Sequence, residues 1–343
     1  MRIRIGAKTE SNKISRGRIS NESFITLSMF AVLIVLIGLA SIFVPNFYLL
    51  QNIINLVTNS WYLIVIGIGV TFILVTGNFE MSVSGVVAMT GVLCVYFCQA
   101  SNVSPSPLAN GLGLPYGVAV ILSLLCAMLI GAINAFFVAK LKIASIVVTL
   151  GTLSISRGIA QIVTQGAQRN TSLPDIFGVV GNIFIIGSVK FSIFIMIFFI
   201  IVAVIIEKKT VFGRRTYLIG ANIQAAKLSG VKVVQHVTVL YLISSFLAGV
   251  VGILLASEYI SGTSNRIMGA EFDALVIALL GGTAISGGFG SVIGTVIGAL
   301  ILAVVASSST GLLLRPEWQF ILKSVIVFMA IMAQRFAIDR RKL

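Results

Sequence analysis

Histidine occurs once in this chain, at position 236, and cysteine three times, at 94, 98 and 126. Charged residues supply only 10% of 343 positions, and proline six. Each scarcity excludes something. The cysteines lie inside apolar runs and read as small buried side chains, not as a disulfide framework. Cys94 and Cys98 share a helix face, but no His or acid accompanies them, so no metal site is expected. There is no Ser-His-Asp set and no pair of carboxylates placed for acid–base catalysis. Gly-Lys-Ser and Gly-Lys-Thr are absent, so the phosphate cradle of an ATPase is missing, and Gly288-x-Gly290 lacks the further glycine of a dinucleotide loop. Enzymatic chemistry is not expected of this chain.

What is abundant is apolar surface. The chain is 58% hydrophobic, with mean hydropathy +1.09. A soluble protein of this size has no interior large enough to hide it. Uncharged runs of about 18 residues or more suffice to cross a hydrocarbon core as helices. They do not alternate polar with apolar, which argues against a barrel. The fold class is therefore an all-α polytopic membrane protein. About ten spans are expected, near 25–46, 51–76, 82–100, 115–139, 143–164, 190–206, 236–257, 271–286, 288–309 and 318–335. The first follows a polar leader, is too long for the core of a signal peptide and has no convincing cleavage site, so it reads as retained. Two runs invite a break or a re-entrant dip: Gly-rich 271–286, and 51–76, whose first half holds Asn52, Asn55, Asn59 and Ser60.

Net charge is +14. In a membrane protein an excess of Lys and Arg reports orientation, since basic residues hold loops in the cytoplasm. With the N-terminus inside, the inner set is Arg2, Arg4, Lys8, Lys13, Arg16, Arg18, Lys140, Lys142, Lys208, Lys209, Arg214, Arg215, Lys227, Lys232, Arg335, Arg340, Arg341 and Lys342. The outer set is Arg169, Lys190, Arg266 and Arg315. Both termini are thus expected in the cytoplasm: a basic tail 1–24, one membrane domain 25–335, and a basic tail 336–343.

The longest inner loop, about 207–235, contains FGRRTYLIGANIQAAKLSGVKV. Asn222 is placed to cap a short helix and Gly230 to end it. Ala225 and Ala226 would let a partner approach closely, with Ile223 and Leu228 as apolar anchors. Two readings stand: a docking element for another protein, or an amphipathic connector whose basic residues meet anionic lipid.

This loop resembles the cytoplasmic coupling loop of ABC-importer permeases of the ribose/xylose/arabinose/galactose class. The matching positions are Gly213, Arg214, Tyr217, Gly220, Asn222, Ala225, Ala226, Leu228 and Gly230. LVTGNFEMSVSGVVAMTG (74–91), GAINAFFVAKLKIASIVVTLGTLSISRGIA (131–160) and EFDALVIALLGGTAISGGFGSVIGTVIGALIL (271–302) resemble further landmarks of that family, in the same order. The resemblance implies a permease importing a simple sugar, a pentose or hexose. It also implies a second copy of the chain, a cytoplasmic ATPase carrying ATP and Mg²⁺, and an extracytoplasmic sugar-binding protein. The resemblance further implies no cofactor on the chain itself, no nucleic-acid partner, and a location in a bacterial plasma membrane. The alternatives are an ABC permease for a furanosyl signalling molecule or a nucleoside, and an autonomous secondary transporter. The last should carry membrane-embedded acid or His relays, of which few are visible.

Two more features stand out. Gly290, Gly294 and Gly298, spaced by four, line one helix face and permit close packing in lipid. Segments 74–93 and 279–300 both read as span, glycine break, small polar residues and second span, the pattern of transporter repeats whose broken helices meet at the substrate path. Glu80 lies in the first break. A charged group within a bilayer turns to a cavity or a partner, so Glu80 with Asn78, Ser82 and Asn59 is the candidate polar path; otherwise Glu80 is an inner-surface turn residue. Arg157, within a span, needs a carboxylate or carbonyl partner. Glu271 and Asp273 suit a helix N-terminus.

Overall fold

The computed structural model describes residues 26–101 and 110–315, then residues 317, 318, 321, 324, 325, 328 and 332. Both basic tails and most of the predicted span 318–335 lie outside the described residues. The helices are α1 (Thr26–Phe43), α2 (Leu50–Val75), α3 (Val83–Cys98), α4 (Tyr116–Ala135), α5 (Ser145–Thr164), α6 (Asp175–Asn182), α7 (Phe191–Lys209), α8 (Val211–Ala221), α9 (Ile223–Leu228), α10 (Val233–Glu258), α11 (Ala270–Leu280) and α12 (Val292–Gly311). A final π-helical turn, Phe136–Lys140, extends α4. A short antiparallel hairpin, β1 (Phe184–Ile186) with β2 (Val189–Lys190), leads into α7. Neither it nor α6 was foreseen in the polar connection 165–190.

Among the described residues, seven helices are long and apolar enough to cross a membrane: α1, α2, α4 with its π turn, α5, α7, α10 and α12. The chain is a polytopic helical membrane protein. α2 and α10 form its centre. α10 packs on α2, α3, α4 and α6, while α2 also packs on α7, α11 and α12. Their apolar residues point every way, and Trp61, Ile66, Ile73, Leu240, Tyr241 and Val251 are buried. A helix apolar all round belongs inside a bundle or against lipid. The outer helices supply the lipid case: Ile121 and Leu129 of α4, Val147 and Ile162 of α5 and Phe198 of α7 are exposed. In water each such side chain would forgo about 2 kcal/mol of burial; against acyl chains it does not.

Three predicted spans change shape. The asparagine-rich half of 51–76 does not break; α2 runs unbroken over 26 residues. The predicted span 271–286 is an 11-residue helix, about 16 Å long, that ends at Leu280. The predicted 288–309 begins only at Val292. The cause is the glycine content between α11 and α12: Gly282, Gly287 and Gly288 have φ of +90°, +80° and +77°, which L side chains rarely adopt. α3 is also short, at 16 residues. Two short helices thus adjoin two irregular breaks, α3 after the first and α11 before the second.

Gly294 and Gly298 of α12 face α11. A Cβ on Gly294 would lie 2.0 Å from Gly281 O, and one on Gly298 2.3 Å from Ile277 O, so only glycine permits this approach. Gly290 precedes the helix; its Cβ would meet Thr283 and Val75 side chains at 2.7–2.8 Å.

Candidate functional site at two helix breaks

The first break follows α2. Gly77 adopts φ +80°, and residues 78–82 form neither helix nor strand. Backbone polar groups buried in such a setting need partners, and side chains supply them. Phe79 N donates to Ser145 Oγ (2.9 Å), and Tyr241 OH donates to Phe79 O (2.9 Å). Glu80, only 1% exposed, accepts from Ser82 N (2.7 Å) and Ser82 Oγ (2.6 Å) through Oε1. Its Oε2 accepts from Asn134 Nδ2 at 3.3 Å, and the same amide donates to Ser82 Oγ at 3.0 Å. Thr152 Oγ1 donates to Asn134 Oδ1 at 2.6 Å and fixes the amide. Asn134 is the next-to-last residue of α4, just before the π turn, and Thr152 lies two turns into α5, about 10 Å from its start. The carboxylate is buried within the protein and closes a ring of hydrogen bonds at the start of α3, where a helix N-terminus favours negative charge.

Ser84, one turn on, donates to Glu271 Oε2 and accepts from Arg157 Nη2 at 3.1 Å. Arg157 thus meets the α11 carboxylate through a serine hydroxyl. Its Nε is buried with no hydrogen-bond partner. Asn78, half-buried, donates to Thr76 Oγ1 at 3.0 Å. Asn59 does not join this group. It is exposed on α2, about 25 Å from the break, and borders a separate cavity of about 440 Å³ with Asn52, Asn55, Ser60, Ser307 and Thr310.

The second break, residues 281–291, touches the first. Gly288 N donates to Val75 O at 2.7 Å, and a Cβ on Gly287 would lie 2.7 Å from Gly77 N. α8 presses on both: a Cβ on Gly220 would lie 1.8 Å from Val75 O and 2.4 Å from Gly288 N. Three backbone segments thus meet without side chains between them. Beside them Tyr217 OH lies 2.9 Å from Glu207 Oε1 and 2.8 Å from Gly290 O, while Val292 N donates to Glu207 Oε2 at 3.1 Å. α7, α8 and the start of α12 are tied at one point.

Within the loop, Thr210 Oγ1 caps α8 by accepting from Gly213 N. Asn222 Oδ1 caps α9, accepting from Gln224 N (2.9 Å) and Ala225 N (3.0 Å). Gly213 is buried and Arg214 exposed. Gly230, with φ +77°, follows the end of α9 at Leu228. One expectation is corrected here. Ala226 does not offer a small face to a partner; it is fully buried and packs with Ile219 and Val231. Its smallness lets α9 fold back on α8. Ala225 is half-buried, and the outward apolar residues are Ile223 and Leu228, the latter 91% exposed.

At the opposite end of the bundle, Arg169 is buried beneath loops. It donates to Gln99 Oε1 through Nε (2.9 Å) and Nη2 (2.7 Å), and to Val163 O and Asn110 O, and it lies 5.0 Å from the Tyr96 ring centre. Burial lowers its pKa from the ordinary value. Lys190 pairs with Glu258 nearby. Among the described residues no group of three or more His, Cys, Asp or Glu could hold a metal ion.

Sequence reasoning missed Asn134, Thr152, Ser145, Tyr241 and Glu207 as partners. The available signal was a polar residue inside an apolar span, which in lipid implies a partner.

The family described as branched-chain amino acid transport system / permease component matches residues 52–332. The chain belongs to this permease family. Among its relatives, the ribose import permease protein RbsC of Haemophilus influenzae is 31% identical over 332 residues, covering 96% of this chain and 97% of its own. The galactose/methyl galactoside import permease protein MglC of Escherichia coli is 30% identical over 337 residues, covering 94% and 99%. The L-arabinose transport system permease protein AraH of Escherichia coli is 30% identical over 332 residues, covering 96% and 95%. No solved structure matches the permease. Its role is transport.

Proposed function

We propose that this permease is the membrane subunit of an ABC importer that brings a simple sugar, a pentose or hexose, across a bacterial plasma membrane. Two copies work with a cytoplasmic ATPase, which holds ATP and Mg²⁺, and with an extracytoplasmic sugar-binding protein. The sugar class is supported by the ribose, galactose and arabinose permeases to which the chain is similar. The observation that carries the mechanism is the contact of Gly220 with Val75 and Gly288. A pull on α8 and α9 reaches the end of α2 and the turn before α12 with no flexible side chain between. Such backbone contacts move together or separate; they do not deform gradually. The cavity at Asn52, Asn55 and Asn59 supplies amides and hydroxyls suited to a polyhydroxylated solute released at the outer face. The test is uptake of labelled ribose, galactose and arabinose into proteoliposomes holding the permease, the ATPase and loaded binding protein. Saturable, ATP-dependent uptake of one of them is expected; uptake without the ATPase would overturn the reading.

The proposed architecture has about ten spans, with both termini and the 207–235 loop in the cytoplasm. Reporter fusions at Leu343 and within 101–114 should then report opposite sides. Equal signals would remove the basis for assigning the loop to the ATPase.

The ATPase is proposed to take the outward face of α9 through Leu228 and Ile223. Leu228→Asp should leave the permease folded but reduce ATPase capture at least tenfold, because a central apolar anchor contributes about 2 kcal/mol or more. Ala226→Asp should act differently. A carboxylate forced between Ile219 and Val231 costs about 3 kcal/mol, so the loop itself opens and becomes protease-sensitive even without the ATPase. Normal ATPase capture by Leu228→Asp would place the docking face elsewhere.

A further inference from the structure

A pocket of about 390 Å³ lies where α8, the 230–232 turn and the start of α10 meet, lined by Arg215, Val231, Lys232, Gln235, His236 and Val239. We propose that it binds the phosphate of an anionic phospholipid from the cytoplasmic leaflet, a site that rests on the orientation proposed above but not on the identity of the sugar.

Four observations converge on this chemistry. First, the lining contains two cationic side chains, an amide and no acid. Arg215, Lys232 and Gln235 are exposed, and none has a side-chain hydrogen bond or ion pair among the described residues. Second, α10 begins at this pocket with no side-chain cap and no acidic residue in its first turn. Val233 N turns back to Val231 O, and the positive end of the α10 dipole lies beside the two cations. Third, His236 makes a fixed floor: Nε2 lies 2.8 Å from Thr216 Oγ1, and the ring stacks on Phe212 with centres 4.1 Å apart. Fourth, one wall is apolar: Val239, on the same face of α10 as Lys232, Gln235 and His236, is 40% exposed.

A free phosphate would use only the polar end of this pocket. A phospholipid uses both ends, its phosphodiester against Arg215, Lys232 and the α10 N-terminus, its acyl chain along Val239. Basic pockets at the cytoplasmic ends of membrane helices suit this ligand chemistry. The location adds a consequence. The pocket joins the coupling element (α8, α9) to the central helix α10, so an occupied site ties them together.

The test is native mass spectrometry of the full-length permease, freed of lipid in detergent. It would be titrated with dioctanoyl-phosphatidylglycerol, dioctanoyl-phosphatidylcholine, or phosphatidylglycerol plus millimolar inorganic phosphate. One tight phosphatidylglycerol per chain is expected, with phosphatidylcholine weaker by about tenfold and little competition from phosphate. The double variant Arg215→Gln/Lys232→Gln should lose about 30-fold in phosphatidylglycerol affinity, the effect of two basic residues at a membrane surface. Arg215→Lys/Lys232→Arg should keep most of it and controls for folding. Equal binding of the two lipids, or unchanged binding by the Gln variant, overturns the proposal. Full displacement by inorganic phosphate overturns the lipid and identifies a soluble phosphate as the ligand.

Discussion

Gly220→Ala is expected to reduce uptake to near background. The added methyl is the smallest change available, yet its carbon would stand 1.8 Å from Val75 O and 2.4 Å from Gly288 N. Both are backbone atoms, and Val75 O already accepts from Gly288 N, so neither side can give by a rotamer change. Relief requires α8 to withdraw from the two breaks or the Val75–Gly288 bond to part. Overpacking of this kind costs about 3 kcal/mol. The structural loss should appear as a lower thermal midpoint in detergent. The functional loss should exceed it, because the severed contact is the proposed link from loop to path. A contrast is Gly151→Ala on α5, where an added Cβ meets nothing within 4 Å. There a helix gains up to about 1 kcal/mol from replacing glycine, and uptake should be unchanged. If Gly220→Ala transports at more than half the normal rate, α8 does not drive the breaks.

The sequence made the membrane class legible because composition and run length alone decide it: α1, α4, α5, α7, α10 and α12 lie within or close to the predicted runs. The loop was legible in its caps, since Asn222 and Gly230 are local signals that need no tertiary context. The end of α11 was not. A break was expected in the Gly-rich run 271–286, but not its place: several glycines there could end the helix, and the close approach of Gly281 to Gly294, right after Leu280, is a tertiary contact. The direction of Ala226 was hidden for a similar reason. A small residue permits close approach from either side, and only the fold shows that the neighbour is Ile219 of the same loop.

Glu80 illustrates the harder case. Its rarity in an apolar stretch marked it as consequential, and a path-lining role followed from general cost arguments. The structure surrounds it with Ser82 and Asn134 from its own chain. Each partner lies in a stretch already notable for its resemblance, but no spacing rule connects position 80 to 134 or 152. Pairings across some 50 to 70 residues depend on how helices cross, which apolar surfaces of similar shape leave unspecified.

Replacing Glu80 should therefore reveal a keystone of the break. Glu80→Ala removes the acceptor for Ser82 N, Ser82 Oγ and the Asn134 amide at once. Buried donors left without acceptors cost about 1–3 kcal/mol each, so a loss of about 3 kcal/mol and of nearly all uptake is expected. Glu80→Gln is milder. Its carbonyl still accepts from Ser82, but its NH₂ faces Asn134 Nδ2, donor against donor, for a loss of about 1–2 kcal/mol. Adding Asn134→Asp to Glu80→Gln restores an acceptor opposite that NH₂, and the carboxylate so introduced still accepts from Thr152 Oγ1, as the amide oxygen does now. Thermal midpoint and uptake should both recover part of their loss in the double variant. A residue whose role is to meet solute would respond otherwise. Glu80→Gln would then lower uptake with little change in midpoint, and Asn134→Asp would bring nothing back. The double-variant cycle, read by both measurements, separates a carboxylate that holds the start of α3 in place from one that lines the route of the solute.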